Sequence, residues 1–154
     1  MKFEIHTYQT ADCAEIAKLF NETVHAVNAA DYTRQQLDAW TAGSETRRAY
    51  EWNLSFLEHT SLTAKAGKKI IGFADMDADG YLDRLYIHKG YQRMGVAATL
   101  VKKLESCSGK RSFKTFASIT AKPFFTKQGY RAVKEQQVNR NGILLTNFFM
   151  VKDL

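Results

Sequence analysis

Lys2, Glu4 and His6 alternate with Phe3, Ile5 and Thr7 at the start of the chain, the period of a β-strand over 2–8. Thr10 and Asp12 then offer helix-start signals ahead of Ile16, Leu19, Phe20, Val24 and Val27. Those spacings of three and four predict a helix over roughly 11–28 with one buried face. A second, short helix fits 33–41 before Gly43, and a third fits about 44–59 with Ser44 as its cap and Tyr50, Leu54 and Leu57 on one side. From residue 61 the period changes to two. Strands over 61–66 and 69–77 flank the turn Ala66-Gly67-Lys68, and Asp79-Gly80 turns the chain into a strand over 81–88.

Helical spacing returns over about 94–108, with Val96, Leu100, Val101 and Leu104 on its inner face. A strand over 113–119 and a short helix over 121–128 follow, the helix carrying the only proline, Pro123, in its first turn where it is tolerated. Two closing strands, about 130–139 and 143–151, meet at Asn141-Gly142, a strong hairpin signal. No repeat, linker or low-complexity stretch interrupts this order. The pattern predicts one α/β domain over residues 1–154.

Composition narrows the class without naming a function. At 45% apolar and 25% charged, the 154 residues are average for a globular domain, which excludes a disordered or collagenous chain. No apolar run approaches the ~20 residues that cross a bilayer, and the first residues lack a hydrophobic signal core. Cys13 and Cys107 make neither a disulfide framework nor a metal-ligand spacing, so a cytoplasmic protein with reduced thiols, no metal and no membrane partner is expected. The net charge of +6 is unevenly spread. Residues 1–83 carry 8 basic and 13 acidic side chains, residues 84–154 carry 14 and 3, and the two parts stand at −5 and +11. A basic half can take a polyanion and an acidic half facing it can take a cation, although two solvated surfaces would give the same counts.

The informative segment runs from Tyr86 through His88-Lys89-Gly90-Tyr91-Gln92-Arg93-Met94-Gly95 into Val96-Ala97-Ala98. It joins a strand to a helix whose first turn holds small residues. First-turn N–H groups have no intrahelical partner, and with the helix dipole they form an anion site. Gly95 and Ala97 leave room for a phosphate, and Gln92 and Arg93 are expected to add donors. A Walker A loop is excluded because Val96-Ala97 follows Gly95 where Lys-Ser/Thr is required, and a dinucleotide fingerprint is excluded because only Gly95 is properly placed.

Gln-x-x-Gly-x-Ala at 92–97 resembles the pyrophosphate loop of the GCN5-related N-acetyltransferases (GNAT). The resemblance extends to Ala121-x-x-Phe124-Phe125-x-x-x-Gly129-Tyr130 and to the element order of the whole chain. HAVNAADYT (25–33), GYLDRLYIHKGYQ (80–92) and ITAKPFFTKQGY (119–130) look more narrowly like the YafP-like acetyltransferases. The resemblance implies an α/β (α+β) acyl-CoA N-acyltransferase fold, a mixed, mostly antiparallel sheet of six or seven strands flanked by helices. It implies acetyl-CoA as cofactor in a cleft between the fourth and fifth strands. The pyrophosphate would sit on the backbone of Gln92, Arg93, Met94, Gly95, Val96, Ala97 and Ala98. The pantetheine arm would pair with the main chain of Leu85, Tyr86 and Ile87, with Phe124 and Phe125 beside the thioester end. Two positions depart from the family: Ser118 stands where asparagine is common, and Phe125 stands where many members carry a tyrosine general acid.

Acetyl transfer to an amine needs a deprotonated amine, a polarised carbonyl and a leaving thiolate. A strand N–H can polarise the carbonyl, and a thiol with a pKa of about 8.5 leaves tolerably. Tyr130 is the candidate replacement acid, with Tyr86 behind it, while a packed aromatic is the plainer role for Tyr130. Tyr81 and Asp83 are the candidate catalytic pair, sharing a strand face with Leu85 by period two, and Asp83 is the candidate base because related enzymes keep a carboxylate in this region. An ion pair with Arg84 is the plainer role for Asp83. Asp75 is a weaker candidate at the acceptor side. His25, Asn28, Asp31, Tyr32 and Trp40 form a polar, aromatic corner suited to a cationic or aromatic amine, though aromatics at helical spacing usually pack.

A small-molecule amine is therefore the expected acceptor. A CoA-binding module with little catalysis is the alternative that Phe125 favours. A nucleic-acid-binding domain would use the basic half, but those residues are spread over at least five elements without a recognition helix or aromatic platform, so no nucleic acid is expected. The final strands offer an edge for a homodimer.

Overall fold

The computed structural model describes residues 2–154. Its element order is β1 (Glu4–Thr7), α1 (Cys13–Ala26), α2 (Arg34–Trp40), α3 (Glu45–Glu58), β2 (Thr60–Ala66), β3 (Lys69–Met76), β4 (Tyr81–Ile87), α4 (Val96–Ser108), β5 (Ser112–Ser118), α5 (Lys122–Lys127), β6 (Arg131–Arg140) and β7 (Ile143–Asp153), with single 3-10 turns before and after α1 and after β4. The seven strands form one mixed sheet in the order β1-β2-β3-β4-β5-β7-β6, antiparallel except where β4 meets β5. Helices α1–α3 cover one face and α4 and α5 the other. Among the described residues no helix is long and apolar enough to cross a membrane.

Local chemistry explains most boundaries. Thr33 caps α2 through a reciprocal pair with Gln36, and the Ser44 hydroxyl accepts the Arg47 N–H to start α3. In α1, Ile16, Leu19, Phe20 and Val24 are buried as their spacing requires; in α4 it is Val96, Leu100, Val101 and Leu104. In α3 the side formed by Tyr50, Leu54 and Leu57 is the outer one, each more than half exposed, while Ala49, Trp52 and Phe56 face the core. The alternative stripe wins because its rings stack on Phe20, Phe73 and Tyr8, a larger aromatic contact than leucines alone would make.

Two features open the sheet at its centre. Strands β4 and β5 pair only at Tyr81–Lys114 and Leu82–Thr115 and then separate. Gly80 fixes the closed end: a Cβ there would lie 2.6 Å from the Ser112 carbonyl oxygen, and its own carbonyl accepts from the Lys114 N–H. In addition, β3 and β4 shift register between Asp75 and Met76. Asp75 opposes Arg84 and Met76 opposes Leu82, which leaves Asp83 as an extra residue in β4. The bulge breaks the period-two expectation. Asp83 does not share a side with Leu85: it lies with Arg84 on the α1–α3 side, and Leu85 packs toward the α4 core.

Candidate active site

The gap between β4 and β5 divides into two clefts. The longer, about 1060 Å³, runs past Leu85, Tyr86 and Ile87 to the start of α4, and past Ser118 to Phe124 and Phe125. The shorter, about 790 Å³, opens between α1–α3 and the β6–β7 hairpin. They share Trp40, Asp83, Tyr86, Phe116 and Ser118, which form the throat between them.

The far end of the longer cleft is built to receive an anion. Gly95 caps α4 with φ 81, Arg93 also has a positive φ of 61, and no side chain caps the helix. The first intrahelical bond runs from Thr99 N–H to the Gly95 carbonyl, so the N–H groups of Val96, Ala97 and Ala98 remain free beside the cleft they line. A Cβ on Gly95 would meet nothing within 4 Å, so the requirement there is conformational. Two details differ from the sequence expectation. The Gln92 amide turns back and donates to the Ile87 carbonyl at 2.6 Å, tying down the loop and engaging one expected pairing group. Met94 is exposed outside the cleft lining. His88 is a turn residue: its Nδ1 accepts the Gly90 N–H, and burial holds its pKa below the ordinary value.

Beyond Leu82, β4 has no strand partner on the β5 side. Its register on β3 turns the main-chain groups of Leu85 and Ile87 toward the longer cleft, with those of Leu85 unpaired, and directs those of Tyr86 to Phe73, so Tyr86 is not one of the expected pairing groups. The Ser118 hydroxyl accepts the Ala121 N–H and fixes the entry to α5. Phe125 is packed between Phe124 and Tyr130, with ring centroids 5.2 Å from each. Tyr130 is not at the site. It is 2% exposed, lines neither cleft, and donates to Glu105 Oε2 at 2.8 Å, while Lys152 holds the other oxygen of Glu105. Burial first, then Glu105, raises its hydroxyl far above the tyrosine range. The helix–strand turn packs it into the core, which excludes it as the acid.

At the throat, Asp83 lies with its side chain a third exposed. Burial raises its carboxyl above the usual value, and the Arg84 guanidinium, 3.4 Å away, opposes that rise. Tyr81 is beside it with a hydroxyl raised by burial and by Asp83. The Tyr86 ring packs edge-on to Phe20, and burial pushes its hydroxyl up to about 12. Behind these groups, Asp75 is fully buried, bridged by Arg84 Nε at 3.0 Å and Nη2 at 2.6 Å and by His59 Nδ1 at 2.8 Å. Asp75 reaches neither cleft, so it holds Arg84 in place and does not contact the acceptor. His59, Asp75 and Asp83 offer ligand atoms within 4.8 Å of one another, but Arg84 already supplies the positive charge there.

The helical corner is divided. Trp40 and Tyr32 line the shorter cleft edge to face, and the Tyr32 hydroxyl donates to the Thr146 carbonyl. Asp31 lies on the longer cleft, accepting from Thr120. His25 lines neither cleft and bonds the Thr41 hydroxyl at 2.8 Å. The polar residues on the shorter cleft that the sequence reading does not anticipate include Arg48, Arg140 and Asn147. Asn147 had a legible signal, since Thr146-Asn147 interrupts an otherwise apolar strand.

A family model described as the acetyltransferase (GNAT) domain matches residues 28–152. The chain is 32% identical over 147 residues to the uncharacterized N-acetyltransferase YafP of Escherichia coli strain K12, covering 96% of this chain and 93% of that protein. A GCN5-related N-acetyltransferase structure from Rhodopseudomonas palustris superposes with a TM-score of 0.92 at 29% identity, covering 100% and 97% of the two chains. The PaiA N-acetyltransferase of Thermoplasma acidophilum, solved with coenzyme A, shares the fold over the full length of both chains at a TM-score of 0.79 and 18% identity.

Proposed function

The chain belongs to the GNAT acetyltransferase family, and from that premise we propose that it transfers the acetyl group of acetyl-CoA to a primary amine of a small molecule by direct attack on the thioester. The observation that carries this reading is the meeting of two clefts at a throat that contains Asp83. One cleft ends on the free first turn of α4 and the other is lined by aromatic and charged side chains.

The residues present fit the cofactor: free helix N–H groups for a pyrophosphate, unpaired β4 main chain for an amide-bearing arm, and Phe124 and Phe125 for its apolar end. When bound, acetyl-CoA supplies the acetyl group as an activated thioester. Asp83, directly or through one water, takes the proton of the amine as the new C–N bond forms. A main-chain N–H on the free stretch of β4 polarises the acetyl carbonyl. As the C–S bond breaks, the Tyr86 hydroxyl is the donor at the throat for the departing thiolate, in the role that position 125 cannot fill. Burial holds the basicity of Asp83 up, while the Tyr81 hydroxyl beside it stabilises the carboxylate and, like Arg84, opposes that rise. Cys13 and Cys107 are free thiols, which supports a reducing, cytoplasmic setting.

Mass-spectrometric detection of N-acetylated product over an amine panel, with thiol release measured in parallel, tests the reading. Wild type is expected to release one thiol per product. Asp83→Asn and Tyr86→Phe are expected to lower kcat, about 10²-fold or more for Asp83. Tight acetyl-CoA binding with no product for any amine would favour the non-catalytic CoA-binding alternative.

A further inference from the structure

Resting on the acetyl-transfer reading, we propose that the acceptor amine also carries a carboxylate, which Arg48 and Arg140 seat at the outer part of the shorter cleft. Four arginines line that cleft, and two already have acidic partners. Arg47 Nε lies 2.8 Å from Glu51, and Arg84 is held by Asp75 and Asp83. These pairs engage both acids of the lining, Glu51 and Asp83. Among the described residues, Arg48 and Arg140 form no ion pair.

The Arg48 head is fixed and incomplete. Its plane lies over Phe20, 4.8 Å from the ring centroid, and Nη2 donates to the Ala42 carbonyl at 2.8 Å. Nη1 is buried without any hydrogen-bond partner. A buried guanidinium N–H left unpaired is costly, and a carboxylate oxygen completes it. The N-terminus of α3 ends beside it at Ala42, Gly43 and Ser44, adding the positive end of a helix dipole. Arg140, at the end of β6, is exposed on the opposite wall, and its charge is felt at the Tyr86 hydroxyl across the cleft.

Neither arginine lines the longer cleft, so both lie away from the throat, where the amine must react. Asn147 also lines the shorter cleft, and its carboxamide oxygen is buried with no partner, an acceptor for an N–H of the same ligand. Phe20, Trp40, Trp52 and Phe116 supply apolar walls between the polar groups. An amine with an apolar body and a carboxylate matches this layout. A polyamine would set its second cation against two unpaired guanidiniums. The acidic excess of residues 1–83 therefore does not make this cleft a cation receptor.

Matched pairs that differ only in the carboxylate give the test: phenylalanine against phenethylamine, tryptophan against tryptamine and leucine against isoamylamine. Each pair is assayed at equal free-amine concentration with saturating acetyl-CoA. Wild type is expected to show at least tenfold higher kcat/KM for the carboxylate-bearing member of a pair it accepts. That ratio is expected to fall at least fivefold in Arg140→Gln, which changes an exposed residue at the end of β6, and in Arg48→Gln, mainly through KM. A ratio near one, a preference for the decarboxylated members, transfer to neither series, or a ratio unchanged in both variants would overturn the assignment. Product from any other amine of the panel, with one thiol released per product, separates this failure from failure of the acetyl-transfer reading, in which no amine is acetylated whether or not acetyl-CoA binds.

Discussion

Asp83 illustrates what a single residue gains from its surroundings. Its raised carboxyl comes from burial and is limited by Arg84 and by the Tyr81 hydroxyl, so the group is a better base than an exposed aspartate. The acid limb of the pH–kcat profile is accordingly expected above the ordinary carboxylate value, and to vanish in Asp83→Asn. A carboxyl raised on folding adds stability at low pH and loses it as the pH rises through the raised value. At pH 7, then, Asp83→Asn is expected to melt no lower than wild type while losing turnover; a lower Tm would mean that the carboxylate is structural. Tyr130 gives the opposite case. Tyr130→Phe removes a hydrogen bond to the partly buried Glu105 and is expected to cost about 1–2 kcal/mol by denaturant titration, with kcat of the folded enzyme retained. The sequence shows that Tyr130, His25 and Asp75 are chemically capable. Their partners Glu105, Thr41 and Arg84 come from other elements or across a strand pair, where no periodicity reports them.

Elements were far more legible than their faces. Strand and helix periods locate all twelve elements within a few residues; most bury a regular stripe, while β6, exposed over nearly its whole length, is marked by the Asn141-Gly142 turn that follows it. The inner face of α3 was not legible, since Tyr50, Leu54 and Leu57 have the same spacing as Ala49, Trp52 and Phe56. The β4 bulge was hidden for a related reason: one extra residue changes nothing in composition but reverses the side of Asp83 relative to Leu85. The bulge is held by the Asp75–Arg84 pair beneath it. Asp75→Ala would strand a buried guanidinium, and a loss of about 3–5 kcal/mol is expected. A loss under 1 kcal/mol would show that the pair does not anchor the bulge.

For the molecule as a whole, the decisive feature is a sheet joined at its middle by two residue pairs and open beyond them. The loop at 92–98 pointed to one wall of that opening, because glycine before a helix of small residues has a direct physical meaning. The other cleft gathers Arg48 from α3, Arg140 from β6 and Asn147 from β7, positions up to 99 residues apart, and only the folded chain shows them as one surface. A molecule built this way should tighten when the gap is filled. Hydrogen exchange is expected to be faster at residues 83–87 and 116–118 than in β3 without ligand, and to slow in those segments when acetyl-CoA is added. Equal protection in both states would mean that the opening is not where the cofactor lies.

The most direct test of that placement is calorimetric titration of acetyl-CoA into the wild-type protein and into Gly95→Glu, with folding of the variant verified by circular dichroism. The new side chain brings a negative charge to the first turn of α4 and strains a residue held at φ 81. Saturable binding by wild type, weakened at least tenfold in the folded variant, is the predicted result. No binding by the folded wild type, or equal binding by both proteins, would contradict the assignment of this cleft to acetyl-CoA.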